Sequence, residues 1–250
     1  MKSDALVIIP AYNEEGPIQG VINSIKALYP EMDILVIDDG SSDDTASIAE
    51  ASGAVCITHP FNMGYGVALQ TGYKYALMHE YKYVVQMDAD GQHDAGGIKI
   101  LLDTIREGSC DVVLGSRFMG AGDYKMSFAR LIGVKFFRLV LRILSGRNIA
   151  DPTTGFQAIT RKVVRIFSHD MFPYDYPDAD MIILLSKVGC TIIERPLSMH
   201  PNKTGKSMHK GAMKALYYIF TMLLSMAMTR LRTHRIDEIF SANGGIENGK

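Results

Sequence analysis

YVVQMDADGQHD, residues 83–94, is a short apolar run that ends in three aspartates, Asp88, Asp90 and Asp94, within seven residues. Its β-branched character is that of a strand buried on both faces of a parallel sheet. The same kind of run recurs in ALVII (5–9), DILVI (33–37), AVCIT (54–58) and DVVLG (111–115). Helical patterns lie between the runs, near 17–29, 44–52, 65–80 and 95–107, with Pro17 suited to a first helical turn and Asp43 or Asp44 to a helix start. Strand and helix in alternation predict a doubly wound, mostly parallel α/β sheet with helices on both faces. Ligands of such sheets bind beyond the carboxyl ends of the strands. Here those ends read PAYNEE, DDGSSDD, HPFNMGYG, DADGQHD and GSRF, which predicts one composite site.

Three carboxylates at the end of a buried strand repel one another unless something positive joins them. Helix capping accounts for Asp94 and poorly for Asp88 and Asp90. An EF-hand loop fails, because it wants glycine sixth and glutamate twelfth, whereas Gly91 is fourth and Lys99 twelfth. Mg²⁺ or Mn²⁺ favours one or two carboxylates completed by phosphate oxygens, so a D-x-D at a strand end suits a metal–diphosphate complex. In IDDGSSDDT (37–45) a glycine turn and helix start explain Gly40, Ser41, Asp43 and Asp44. Asp38 and Asp39 come earlier, where a carboxylate can accept bonds from a ribose or a base. Neither a G-x-G-x-x-G after the first strand nor a G-x-x-x-x-G-K-[ST] is present, which argues against dinucleotide and P-loop readings. FNMGYG (61–66) fits a close-approach glycine loop and a plain loop equally.

The chain of 250 residues has room for one large domain or two small ones. It carries no repeat or low-complexity tract, and the five apolar residues before Pro10 are too short for a secretory signal. Cys56, Cys110 and Cys190 are widely spaced in apolar contexts, which predicts reduced, buried thiols of a cytosolic protein with no zinc or disulfide pattern. A net charge of −1 hides an asymmetry. Residues 1–123 hold 7 Lys and Arg against 18 Asp and Glu, and residues 124–250 hold 19 against 9. Residues 124–150 and 195–236 contain six and eight basic residues and no acid, which points to an anionic partner.

The second half is less regular. Residues 126–145 and 212–232 read as helices and TIIERPL (191–197) as a strand. On the first helix Lys135, Arg138 and Arg142 fall within about 60° of one another, amid Phe, Leu, Ile and Val. Either a core helix with a solvated stripe or a basic amphipathic helix beside anionic lipid fits. The apolar centre of the second, Ala215 to Met228, is shorter than the roughly 20 residues a membrane span needs.

PAYNEE (10–15), VIDDGSSDDT (36–45), MDADGQH (87–93), GSRF (115–118) and DPTTGFQA (151–158) occur in the order and spacing of family 2 glycosyltransferases. Over residues 5–210 the chain most resembles the dolichyl- and polyprenyl-phosphate sugar synthases. The resemblance implies a GT-A (Rossmann-like) domain over 1–210 with a C-terminal helix and polar tail over 211–250. It also implies inverting transfer from a GDP- or UDP-sugar, Mg²⁺ or Mn²⁺, a lipid phosphate acceptor, and peripheral attachment at the cytoplasmic face of the membrane, with no nucleic acid partner.

Carried onto this chain, Pro10, Tyr12 and Glu14 line the nucleotide pocket, and Ile37 and Asp39 contact base and ribose. Asp88 and Ala89 flank nucleotide and sugar. Asp90 and Gln92 hold the metal, with Asp88 beside them. Arg117 and Arg130 face donor or acceptor phosphates, and Lys203 or Lys206 supplies charge where Asn202 replaces a family arginine. Asp178 and Asp180 of PDADM (177–181) stand where related transferases carry glutamates, and either serve as base for a hydroxyl acceptor or are carboxylates at a helix start beside the dipole. That acceptor, in the synthesis of a glycan, is the second reading; a non-catalytic nucleotide-sugar-binding module is the third.

Overall fold

The computed structural model describes residues 3–119, 128–169, 172–173, 177, 179–200 and 212–231; within helices, the side chains of 128–134 and 212–220 lie outside that description. Seven strands form one sheet in the order β3-β2-β1-β4-β6-β5-β7. They are β1 (Ala5–Ala11), β2 (Asp33–Asp38), β3 (Val55–Thr58), β4 (Tyr83–Gln86), β5 (Val112–Ser116), β6 (Gln157–Thr160) and β7 (Ile192–Pro196). All neighbours pair in parallel except β6, which runs antiparallel between β4 and β5. The sheet is therefore mostly parallel, as its sequence pattern predicts.

The five expected strands of the first half appear within one or two residues of their predicted limits, and β7 likewise. The expected helices appear as α1 (Ile18–Leu28), α2 (Thr45–Ala51), α3 (Tyr65–Met78), α4 (Gly97–Arg106), α5 (Phe128–Ser145) and α8 (Ala212–Leu231). β6 and the helix α6 (Arg161–Phe167) have no counterpart in the sequence pattern, whereas α7 (Ala179–Lys187) begins where the helix-start alternative for Asp178 and Asp180 puts it, with Asp180 in its first turn. β6 contributes only Ala158 and Ile159 to the core, too short a run to stand out.

Alternation along the strands divides the core in two. Leu6, Ile8, Leu35 and Ile37 face α3, α5, α6, α7 and α8, while Ala5, Val7, Ile9 and Val36 face α1, α2 and α4. Both faces are covered, which is why the strands are apolar throughout. On the first face Phe167 packs its ring 5.3 Å from that of Tyr73 and 5.2 Å from that of Phe172. Burial pushes the Cys190 thiol up to about 11 and leaves Cys110 raised as well; Cys56, expected buried, is half-exposed. All three are free. Among the described residues no helix is long and apolar enough to cross a membrane.

Because Phe167 is only 1% exposed, Phe167→Ala leaves a cavity under α3. The expected cost is about 3–5 kcal/mol, read as a lower urea midpoint at unchanged denaturant slope.

Candidate active site

The carboxyl ends of β1, β2, β4, β5 and β7 and the amino end of the reversed strand β6 lie along one edge of the sheet, as the register Gln86↔Gln157 and Ser116↔Pro196 requires. The loop after β1 is stitched to the turn after β2. Asn13 and Glu14 donate their backbone N–H to Ser41 Oγ at 2.9 Å and Thr45 Oγ1 at 2.8 Å, and Asn13 Oδ1 accepts from the Ser42 N–H. Asp43 accepts from the Thr45 N–H and hydroxyl just ahead of α2, whose N-cap position is Asp44. Gly40 has φ +70°, and a Cβ there would stand 2.5 Å from the Phe61 carbonyl carbon. Only glycine lets the loop over 59–64 close on this turn.

Asp39 holds that loop. It is 3% exposed and accepts from His59 Nδ1 at 2.7 Å, the Met63 N–H at 2.9 Å and the Gly64 N–H at 2.8 Å. The carboxylate expected on the ribose is thus engaged in shaping the loop beside it. Pro10 and Ile37, expected to line the pocket, are buried and face one another in the β1–β2 ladder. They are packing residues, Ile37 being wholly covered by the core. Tyr12 is 47% exposed, as a residue that meets a ligand must be, and Glu14 is half-buried.

Asp88 stands just beyond β4 with a donor on each oxygen. Tyr65 gives its hydroxyl to Oδ1 at 2.8 Å, and His93 Nε2 lies 2.9 Å from Oδ2. Tyr65 is itself held by Gln86 Nε2 at 3.1 Å, while Gln86 Oε1 accepts from Tyr73 at 2.6 Å and from Gln157 at 2.8 Å. His93 is buried with its ring 4.8 Å from Phe156. Gly155 completes the enclosure, because a Cβ there would stand 2.7 Å from Asp88 Oδ2. Burial raises the Asp88 pKa, but the hydrogen bond and charge of His93, the Tyr65 hydroxyl and the charge of Arg117 outweigh it and hold the carboxyl below its ordinary value. A depressed pKa contributes stability that is full above the unfolded value of 3.8 and is lost as the pH falls through the folded one. None of Tyr65, His93 or Gly155 was singled out in the sequence, although all three lie in motifs that were.

Asp90 turns back on Gln92, accepting the Gln92 backbone N–H at 2.9 Å and touching its side-chain Nε2. Rotation of that amide presents Gln92 Oε1 instead. Two carboxylates and an amide oxygen are the hard ligands that Mg²⁺ and Mn²⁺ take, so the residues present fit such an ion. No cluster of three or more His, Cys, Asp or Glu side chains able to hold a metal occurs among the described residues. Ala89 is buried between the two aspartates. Asp94 accepts the Gly96 N–H at 2.9 Å two residues ahead of the N-cap position of α4, which is Gly96 itself.

On the other side of the edge, Arg117 was expected to face phosphates. Its Nε and Nη2 instead grip Asp151 at 2.7 and 2.6 Å, its backbone N–H reaches the same carboxylate at 3.0 Å, and Nη2 reaches Thr153 Oγ1 at 2.9 Å. Asp151 is wholly buried, and the N–H groups of Ala150 and Asp151 are taken by Glu194. The physical reason is electrostatic: a buried carboxylate without a cation is far costlier than an arginine withdrawn from solvent. Asp180, expected as a base, is also wholly buried; it accepts from the Met181 N–H and, at 2.5 Å, from Ser225 Oγ, tying α7 to α8. It has no face open to a substrate. Asp178, Lys203 and Lys206 lie outside the described residues, and Arg130 is placed only as part of α5.

The model of the family described as Glycosyl transferase family 2 matches residues 6–167, which include the loops of this site. The chain belongs to glycosyltransferase family 2. Within the family it is 30% identical over 217 residues to the polyprenol monophosphomannose synthase of Mycolicibacterium smegmatis, covering 83% of this chain and 81% of that one. It is 30% identical over 215 residues to the undecaprenyl-phosphate mannosyltransferase of Micrococcus luteus, covering 82% and 87%. The fold matches the glucosyl-3-phosphoglycerate synthase of Mycobacterium tuberculosis, solved with Mn²⁺ and UDP-glucose, with a TM-score of 0.69 at 21% identity over 90% of this chain and 78% of that one. The family 2 transferase described here is therefore an enzyme of the GT-A class, with relatives named for polyprenyl-phosphate glycosylation.

Removal of the buried partner of Arg117 is the sharpest structural test of this edge. Asp151→Ala is expected to lower the unfolding free energy by about 3–5 kcal/mol. Asp103→Ala, which breaks the exposed pair with Lys99, should leave the denaturation midpoint nearly unchanged, because solvent screens that pair; chemical denaturation measures both.

Proposed function

We propose that this transferase moves a sugar from a GDP- or UDP-sugar to a polyprenyl phosphate, with inversion and with Mg²⁺ or Mn²⁺ at Asp90, Gln92 and Asp88. The observation that carries the reading is the Asp88–Ala89–Asp90 turn at the end of β4, with Asp88 kept ionised by Tyr65 and His93. Such a turn needs a cation and a diphosphate beside it. The names of the relatives support the acceptor.

The chemistry follows from charge. A bound divalent ion supplies charge neutralisation for the departing diphosphate. Asp90 and Gln92 orient that end of the donor, and Asp88 faces the sugar. Tyr12 and Glu14 flank the nucleotide, with Asp39 shaping the loop that closes over it. A phosphate monoester acceptor is already ionised near neutral pH, so it attacks the anomeric carbon without a general base. It needs cations to position it, for which a guanidinium fork is suited. Arg130 and the acid-free basic segments around Lys203 and Lys206 serve that end. A hydroxyl acceptor would require a base, and the burial of Asp180 against Ser225 removes one of the two candidates for it.

Attachment to a membrane surface belongs to the same reading. Phe136, Leu139 and Ile143 of α5 are exposed in one stripe beside exposed Lys135 and Arg142, and Leu224, Met228 and Leu231 are exposed on α8. Apolar side chains edged by cations are what an anionic bilayer surface accepts.

Incubation with a panel of UDP- and GDP-sugars, with and without undecaprenyl phosphate, tests the proposal. Consumption of one donor only with the lipid is the expected result. Asp90→Ala should lower that rate by on the order of 10²-fold or more, the scale for losing one preorganised electrostatic group. Turnover only with a hydroxyl acceptor, or an undiminished rate in the variant, contradicts it.

A further inference from the structure

Among the described residues, two guanidinium groups stand near the ring of Phe118, the last residue of the GSRF loop. Arg117 places its Cζ 5.4 Å from the ring centroid, and Arg138, from the third turn of α5, places its Cζ 4.9 Å away. The two arginines differ in one respect. Arg117 is neutralised by Asp151 through two side-chain bonds and a backbone bond. Arg138 makes no hydrogen bond or ion pair with any described residue, and its Nε is buried without an acceptor.

That arrangement is unfavourable in the protein alone. A buried guanidinium N–H that meets no acceptor has lost its water and gained nothing in return. The positive charge of Arg117 sits on the same aromatic ring, and the Asp151 oxygens are committed to Arg117. Lys135 and Arg142, one turn away on α5, do not share the problem, because they are exposed and water serves them. Phe118 holds the Arg138 guanidinium by a cation–π contact, a form of attraction that fixes the group in place without satisfying its N–H donors.

We propose that Arg138 is a binding residue for the phosphate of the acceptor, a role that rests on the lipid phosphate reading above. A phosphate monoester brings two negative charges and three acceptor oxygens, and the flat fork of a guanidinium meets two of them at once. The acceptor is favoured over the donor by position. The loops that would hold the donor follow β1, β2 and β4, whereas Phe118 follows β5, separated from β4 by β6, and α5 packs on α7 beyond it. Arg138 thereby completes a pair of unlike arginines on one ring: Arg117 braces the loop through Asp151, and Arg138 keeps its hydrogen-bonding capacity for the ligand.

The experiment is steady-state kinetics of the full chain with a water-soluble short-chain prenyl phosphate, which separates acceptor recognition from attachment to a bilayer. Arg138→Gln should raise the acceptor KM by about 10–100-fold, the loss of a charge-assisted hydrogen-bonded contact, with the donor KM within about twofold of the parent. Arg138→Lys, which keeps the charge and loses the fork, should fall between. Phe118→Leu should also raise the acceptor KM, because the guanidinium loses its support. Arg165→Gln, exposed on α6, is the control, and thermal midpoints confirm folding; should Arg138→Gln not fold, the Lys and Phe118 variants carry the same test. An unchanged acceptor KM in variants of an enzyme that does use the prenyl phosphate overturns the role of Arg138 alone, as does a rise confined to the donor KM. A parent enzyme that transfers to no lipid phosphate overturns both this role and the reading on which it rests.

Discussion

The structure depends on keeping an anion at the end of a buried strand. A carboxylate there loses hydration and sits beside a second carboxylate two residues on, and both effects favour protonation. The fold answers with donors from three separate segments: Tyr65 from the start of α3, His93 from the far side of the turn, and the charge of Arg117 from the loop after β5. Gly155 lets the β6 loop close on the same carboxylate, since any side chain there would collide with it. Much of what looks peripheral to the D-x-D turn, including a glutamine in mid-sheet and a tyrosine behind it, forms the chain of hydrogen bonds that fixes Tyr65.

A second buried pair braces the other half of the edge. Glu194 of β7 holds the backbone at Asp151, Asp151 holds Arg117, and Arg117 holds Thr153. The reversed strand β6 makes this possible, because its antiparallel course brings the segment before it to the same edge as the ends of the parallel strands. A carboxylate with no exposure that accepts three hydrogen bonds from one arginine is a strut, and that arginine holds the loop in place. Beside it on Phe118, among the described residues, Arg138 keeps an N–H that no protein acceptor meets.

The parallel half of the sheet was legible because each strand is a continuous β-branched run between a helix and a polar loop. β6 was not, since four residues with two facing the core carry no periodic signal, and α7 begins among residues whose apolar run reads as well as a buried strand. The site divides in the same way. Asp88, Asp90, Gln92 and Asp94 are readable because their chemistry is local, two to four residues apart. Tyr65, His59, Asp151 and Glu194 act across 20 to 43 residues of sequence, a range no motif spans. The resemblance assigns Pro10 and Ile37 to the nucleotide pocket by position, and their burial in the β1–β2 ladder is a feature that motif position does not report.

The proposed transfer requires that the Asp88–Asp90 turn and a nucleoside diphosphate hold a divalent ion jointly. Calorimetric titration of the protein with UDP and GDP, in Mn²⁺ and in EDTA, measures this without any acceptor. One diphosphate should bind at least about tenfold more tightly with the ion, a coupling of roughly 1.4 kcal/mol or more, and Asp90→Asn should abolish the difference. Equal affinity with and without the ion, or a coupling that survives in the variant, would contradict it.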